Sequence, residues 1–401
     1  MKLAINGGKA IRLTNFPKWP CFNESEDQAL LRSLHQGYWW RNQGKENNFF
    51  EQEFSQYHNG YAITVNSGTV ALELALLAAG VKPEDEVIVP AFTFISTSMA
   101  VQRVGAIPIS INVLKSTYCI DHNLIEKNIT PRTKAIIPVH MAGHLCDMNN
   151  IIKIVNKHDT IIIQDTAHAH GACGEEGKKI GDWGTLACFS FYNLNLMTAG
   201  EGGIVLCPTK ELRDLVFLYS NCGRHAKDKE YQHTIIATNA RLSEFSAAVL
   251  RIQLNRLKEQ TKIRERNAAN LKEMLKTLPE VTLQEYNTKI VTSHPHYMFT
   301  LNQRIAYIDR SYFVACLFAE GIPAFRAYKA IYYVDNYWLY PCATRNKQKF
   351  VDSCPIAEYI ANRGVWIHHR ALLGNYDGTL DIYRSIKSDF NIKKLMKYSV
   401  I

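Results

Sequence analysis

The sequence predicts an α/β fold: a large domain built on a mostly parallel sheet, followed by a smaller C-terminal α/β domain. Two observations predict it. From Tyr61 onward, short apolar segments alternate with helix-forming ones, the pattern of a parallel sheet covered on both faces. The polar groups of that region, Asn66-Ser67-Gly68-Thr69, Thr93-Phe94, His140, Asp165 and Ser190, all lie at the ends of apolar segments. Open α/β sheets hold their ligands beyond the carboxyl ends of the strands, so this shared placement also marks a site.

The elements follow in order. Residues 24–36 read as a helix capped by Asn23 or Ser25 and stopped by Gly37. An aromatic-basic loop, YWWRNQGK, comes next, then a short helix over 47–58. Residues 61–65 form a strand, and the NSGT turn leads into a helix over 70–79, rich in strong helix formers. A strand over 86–89 is ended by Pro90, a helix covers 96–104, and a strand covers 106–111. Strands over 135–139 and 160–163 are separated by a helix near 148–158. Segments 186–191 and 203–207 complete the sheet. A long helical stretch from about Leu242 to Leu275, with room for a kink, joins the domains; its first part, LSEFSAAVLRIQLNRL, carries an apolar face at helical spacing. The expected division is 1–250 for the large domain with the N-terminal segment, and 251–401 for the linker helix and the small domain.

A chain of 401 residues, 47% hydrophobic and 21% charged, can bury a large core or two and is neither disordered nor of low complexity. Lys and Arg total 46 against 37 Asp and Glu, a formal +9. The excess is spread out, with mild clusters at Arg224–Lys229 and Lys387–Lys397. A nucleic-acid binder would gather it into one patch, so it reads as a solvated face or an attraction for anionic ligands such as nucleotide-linked substrates. The ten cysteines, Cys21, Cys119, Cys146, Cys173, Cys188, Cys207, Cys222, Cys316, Cys342 and Cys354, form no CxxC. That spacing points to a reducing cytoplasm, with no disulfide scaffold and no metal site. The start, MKLAINGGKAIRL, has no apolar signal core, and no run reaches the length of a membrane span.

Single residues suggest chemistry without fixing it. In Asn66-Ser67-Gly68-Thr69 a glycine lets backbone approach a ligand, and the helix start offers free N–H groups and the Thr69 hydroxyl, which suits a phosphate; such turns also serve simply as caps. Asp165 ends the strand TIIIQD and suits a protonated ring nitrogen. His168, in DTAHAHGA, is placed to hydrogen-bond a ligand oxygen, and Phe94 to stack on a planar ring or to join the core. Ser190 can donate to phosphate, and GEGG at 200–203 is a constrained turn.

The blocks NGG, NSGT, PAFTF, PVHMAG, QDTAHAHGA, FSF, GEGG and TNAR occur in one order, and CPIAEYIANRGVWIHH follows at 354–369. This series resembles the DegT/DnrJ/EryC1/StrS family of aminotransferases from about Asn6 to Tyr383. The WWR segment and the GGKAIR opening are most similar to its 3-amino-5-hydroxybenzoate synthase and aminocyclitol aminotransferase branch. The resemblance implies the fold of type I pyridoxal-phosphate enzymes and a cofactor site in the large domain. Gly68, Thr69 and Ser190 then hold the cofactor phosphate, Phe94 lies on its ring, Asp165 pairs with the ring nitrogen and His168 lies near the ring hydroxyl. Asn239, in TNAR, reaches the phosphate of a partner subunit's cofactor in a homodimer, with Arg241 supporting its loop. Trp39, Trp40 and Arg41 belong to the substrate entrance.

The departure is at the lysine that holds the cofactor covalently and carries the reaction's proton. Counting back from GEGG puts that position at Asn195, within Tyr192-Asn193-Leu194-Asn195-Leu196-Met197, and no lysine lies in this block. Relative to the family pattern, Gln164 replaces an acidic residue, Tyr192 a glutamine and Asn112 an aspartate. Asparagine has no basic or nucleophilic nitrogen. Three readings stand. One is an enzyme of secondary metabolism or amino-sugar biosynthesis acting on a keto-sugar, cyclitol or related small molecule. It would use pyridoxal 5′-phosphate (PLP) or pyridoxamine 5′-phosphate (PMP) bound non-covalently, with His168, His140, His144 or Tyr192 as the replacement base. The second is a non-catalytic paralogue, partner or scaffold in a biosynthetic complex, in a homodimer or a heterodimer with an active relative. The third is an engineered lysine-to-asparagine variant of an ordinary aminotransferase.

Overall fold

The computed structural model describes residues 2–226, 230–285, 287, 289–302, 308–333 and 351–398, with side chains to residue 391. Cys342, Lys227 and Lys229 lie outside the described residues, as do the side chains of Lys393, Lys394 and Lys397.

Helix α1, Glu24–Gln36, starts where expected because Asn23 accepts from the Ser25 N–H while Glu26 takes the Asn23 N–H. It stops at Gly37, left-handed at φ 75°. Helix α2 is Glu46–His58. The alternating region then gives β1 Tyr61–Val65, α3 Gly68–Ala78, β2 Glu86–Pro90, α4 Ser96–Arg103, β3 Ile107–Ile111, β4 Thr133–Ile136, α5 Met148–Val155, β5 Ile161–Asp165, β6 Leu186–Ser190, β7 Gly203–Cys207 and α6 Lys210–Ser220. The strands form one seven-stranded sheet in the order β1-β7-β6-β5-β4-β2-β3. It is parallel from β6 through β3, while β7 runs antiparallel to both β1 and β6. Val87, Ile88 and Val89 are wholly buried, as strands covered on both faces require.

Helix α7, Glu244–Leu275, is one continuous helix of 32 residues. The expected boundary at residue 250 falls inside it. Leu250, Leu254 and Leu257 pack into a core beneath the first sheet, and Leu271 and Leu275 into the core of the second unit. That unit holds β8 Val281–Leu283, β9 His296–Leu301, α8 Arg310–Ala319, β10 Ala324–Arg326, a helix over Pro355–Arg363, β11 Gly364–His368 and a last helix over Tyr376–Tyr398. Its antiparallel sheet runs β10-β11-β9-β8.

The N-terminal segment, expected with the large domain, packs on the smaller one. Glu320 accepts from the Ala4 and Ile11 N–H groups, Arg12 pairs with Asp381 at 2.9 Å, and Phe16 joins the small core. Glu320 is a buried carboxylate whose partners come from the segment's backbone, and that draws the chain start across. No described helix is long and apolar enough to cross a membrane, and the cysteines described are free thiols.

Candidate active site

A cavity of about 510 Å³ opens between the carboxyl ends of the first sheet and one face of the second. Its size suits a cofactor with a small substrate. At one end, Gly68 and Thr69 begin α3, where N–H groups have no helical acceptor. Ser67 caps the turn by accepting from Val70 N–H at 3.2 Å. Thr69 Oγ1 donates to Ser96 Oγ at 2.8 Å, and Ser190 stands opposite. Backbone and strand meet closely here: a Cβ on Gly68 would lie 2.5 Å from Ser190 Cβ, and one on Gly203 would lie 2.4 Å from Ser67 O. The glycines are required by this approach.

Asp165, the last residue of β5, faces the other end. Thr97 donates to one of its oxygens at 2.8 Å and Ala167 N–H to the other at 3.2 Å. Burial pushes its carboxyl pKa up, and those two hydrogen bonds oppose the shift. His168 also lines the cavity, and burial drives its pKa down to about 4. Its Nδ1 accepts from Ala142 N–H at 3.4 Å, so the proton of the neutral ring sits on Nε2. Phe94 is half exposed beside the cavity, 5.5 Å from the Tyr328 ring.

Asn195 lies in the loop after β6 and lines the cavity with Tyr192 and Leu194. Four carbonyls at the start of the loop are held. Asn195 Nδ2 donates to Ser190 O at 2.8 Å, and Asn195 N–H to Tyr192 O at 2.9 Å. Thr198 Oγ1 donates to Phe191 O at 3.0 Å, and Trp19 Nε1 reaches across to Asn193 O at 2.9 Å. The Trp19 ring rests edge-on against His369 at 4.3 Å. No lysine lines the cavity among the described residues.

The small domain supplies a wall the sequence reading missed. Register pairs His296 with His368 and Met298 with Trp366, so alternation sends His296, Trp366 and His368 to one face. His296 and Trp366 rings lie 4.4 Å apart, and Trp366 and Tyr328 rings 4.3 Å apart. Phe325 and Arg326 complete this side, with Arg326 Nη1 turned to Ser311 Oγ at 3.4 Å. Glu201 of GEGG lines the large-domain side. The VWIHH run was the available signal for this wall, legible only once strand register is known.

Other expected residues lie elsewhere. His140 is sealed in the core. Its Nδ1 accepts from Cys146 N–H at 3.0 Å, and its Nε2 pairs with Gln164 Oε1 at 2.9 Å. Burial drives it to about 4, and a neutral glutamine suits a neutral ring. His144 is likewise buried outside the cavity. Neither can serve as a base there. Arg41, expected at the entrance, is buried against Glu51 at 2.6 Å and donates to Asn47 and Thr64; the carboxylate ten residues on draws it under β1. Trp39 and Trp40 are exposed, but neither lines its own chain's cavity. Trp40 lies under Arg241, which donates to Asn221 Oδ1 at 3.0 Å beside an exposed Asn239.

Comparison with known proteins matches this architecture. The model of the DegT/DnrJ/EryC1/StrS aminotransferase family matches residues 21–379. The 3-amino-5-hydroxybenzoate synthase of Amycolatopsis mediterranei (strain S699) is 42% identical over 374 residues, 91% of this chain and 94% of that protein. The L-glutamine:2-deoxy-scyllo-inosose aminotransferase of Micromonospora echinospora is 32% identical over 418 residues, 97% of each. A crystal structure of 3-amino-5-hydroxybenzoic acid synthase is similar with a TM-score of 0.89 at 41% identity, covering 94% of this chain and 98% of that one. The chain belongs to the DegT/DnrJ/EryC1/StrS aminotransferase family, the aminotransferase-type enzymes of secondary-metabolite and amino-sugar biosynthesis.

Proposed function

We propose that this chain is a family enzyme that binds PLP or PMP without a covalent lysine and acts on a keto-sugar, a cyclitol or a related small ring. The observation that carries the reading is the cavity's division. Gly68, Thr69, Ser190 and Asp165 line the cavity with groups suited to hold a cofactor, while no described lysine does, and Asn195, which the resemblance puts at the lysine position, has its amide committed to Ser190 O. Fit to the cofactor rests on the cradle a Cβ would fill at Gly68 and on the buried carboxylate of Asp165.

Gly68, Thr69 and Ser190 would hold the phosphate through backbone N–H and hydroxyl groups. Asp165 would pair with the protonated ring nitrogen, and that charge would offset the burial penalty now raising its pKa. His168, with its proton on Nε2, is a donor suited to the ring oxygen and not a proton acceptor. Phe94 would lie against the ring. When bound, the cofactor supplies an electron-accepting ring that stabilises negative charge at the carbon next to nitrogen. Of the candidate replacement bases, Tyr192 remains: it is half exposed and lines the cavity beside Asn195. The aromatic wall of Phe325, Tyr328 and Trp366 offers stacking faces to a ring substrate.

Exposed Asn239, on a loop braced by Arg241 and Trp40, suits contact with a partner's site in a homodimer or with an active relative in a heterodimer. A non-catalytic paralogue is the second reading, favoured by a loop already satisfied through Asn195. An engineered lysine-to-asparagine change fits less well, because Gln164 and His140 form a matched neutral pair outside that loop. Equilibrium titration of the purified chain with PLP and with PMP tests the proposal. Saturable binding of either supports it; no binding at large excess leaves the partner or scaffold role.

A further inference from the structure

The lysine position does more than lack a base; it presents a different group. Asn195 Nδ2 donates to the Ser190 carbonyl at 2.8 Å, which fixes the amide's orientation. Its Oδ1 has no described donor and is not among the sealed polar atoms, so the residue offers the cavity an acceptor. A few residues on, the turn of Gly200 and Gly202, with φ of 83° and 149°, carries Glu201 into the same cavity. No described residue pairs with that carboxylate. The turn is firm: Phe191 N–H donates to Gly202 O at 2.8 Å and Gly200 N–H to Thr198 Oγ1 at 2.9 Å.

Charge in the cavity is one-sided. Asp165 and Glu201 are its acids. The cation among its lining residues, Arg326, is directed to Ser311. His168, His296 and His368 are held neutral by burial. Asp165 would be matched by a ring nitrogen when a cofactor is bound, which leaves Glu201 and the Asn195 carbonyl oxygen as the acceptors lining the cavity without a described partner. An ammonium there gains an acceptor and a counter-charge. An aldehyde has no donor to give either.

We propose that this site selects the amine form of the cofactor, PMP, over the aldehyde form, with Asn195 Oδ1 and Glu201 as the groups that recognise its ammonium. The inference rests on the cofactor reading above. It makes Asn195 a recognition residue and lets the loop do without a covalent anchor.

The test is competitive binding to the full chain in amine-free buffer, read by calorimetry and native mass spectrometry. The probes are PMP, PLP and pyridoxine 5′-phosphate, whose hydroxyl replaces the amine and which cannot react with surface lysines. A hydrogen bond to a charged group corresponds to about a tenfold or greater preference. PMP is therefore expected to bind at least about tenfold more tightly than either competitor. Asn195→Leu is expected to shrink the preference to a few-fold. If that variant fails to fold, as judged by circular dichroism, Glu201→Gln leaves the loop's hydrogen bonds in place. It is expected to weaken PMP several-fold while leaving pyridoxine 5′-phosphate unchanged. Equal or tighter binding of PLP and pyridoxine 5′-phosphate by the unaltered chain would overturn the selection while leaving cofactor binding intact. A preference unchanged by Glu201→Gln would overturn the assignment of Glu201. Binding of none of the three would instead refute the cofactor reading itself.

Discussion

Replacing Asp165 by asparagine tests the proposed cofactor-binding role of this carboxylate against a structural one. The side chain is buried, and Thr97 Oγ1 and Ala167 N–H donate to its oxygens at 2.8 and 3.2 Å. Asparagine keeps the shape and can accept from Ala167. Thr97 sits 3.0 Å from Thr93 Oγ1, so the two hydroxyls can turn and accept the new amide. The raised carboxyl pKa means the ionised form is disfavoured in the folded chain. The protonated carboxyl's contribution to stability is therefore present below the ordinary carboxylate pKa and lost as pH rises through the raised one. Removing that charge is expected to leave the cofactor-free protein within about 1 kcal/mol of the original, or more stable. Cofactor affinity should behave differently. Losing a charge-assisted hydrogen bond to a protonated ring nitrogen costs roughly 1.5–3 kcal/mol, a weakening of about 10- to 100-fold. Fluorescence titration gives the affinity and thermal unfolding without cofactor gives the stability. Unchanged affinity for both PLP and PMP would refute the role of Asp165; a large loss of cofactor-free stability would show a structural role.

Three further expectations follow from the same geometry. Gly68→Ala places a methyl 2.5 Å from Ser190 Cβ, so it should destabilise by about 1–3 kcal/mol and sharply weaken phosphate binding; calorimetry against inorganic phosphate and the cofactor checks this. Burial holds His140, His144 and His168 at about 4, against an ordinary value near 6.5. Their contribution to stability is complete above about pH 6.5 and is lost as pH falls toward 4, so Tm should drop across that window, and a flat profile would contradict it. Trp19→Phe keeps the ring against His369 but removes the donor to Asn193 O. It should cost about 0.5–1.5 kcal/mol and speed cofactor release, measurable by stopped flow.

Much of this was legible in the sequence because strand tips are local features. β1 and β7 run over Tyr61–Val65 and Gly203–Cys207 as expected, and Gly68, Asp165, His168, Ser190, Tyr192 and Asn195 meet in one cavity. What was not legible depends on long-range pairing. His296, Trp366 and His368 enter the site only through the register of β9 with β11 and the docking of the second sheet. The N-terminal segment goes to the small domain because Glu320, more than 300 residues away, accepts from Ala4 and Ile11. Arg41 was expected at the substrate entrance beside two tryptophans, yet Glu51 draws it inward. His140 lies near a strand end, as expected, but its ring turns to Gln164 in the core.

The central claim is a cofactor site that works without a covalent lysine, and borohydride reduction followed by intact and peptide mass analysis tests it most directly. The chain is loaded with PLP, reduced, mildly denatured and weighed beside an Asn195→Lys variant treated in the same way. The account predicts that the unaltered chain releases its cofactor and carries no adduct in the Tyr192–Met197 peptide, while the variant gains one at the substituted position. A stoichiometric adduct on a lysine of the unaltered chain that depends on Asp165 would contradict it.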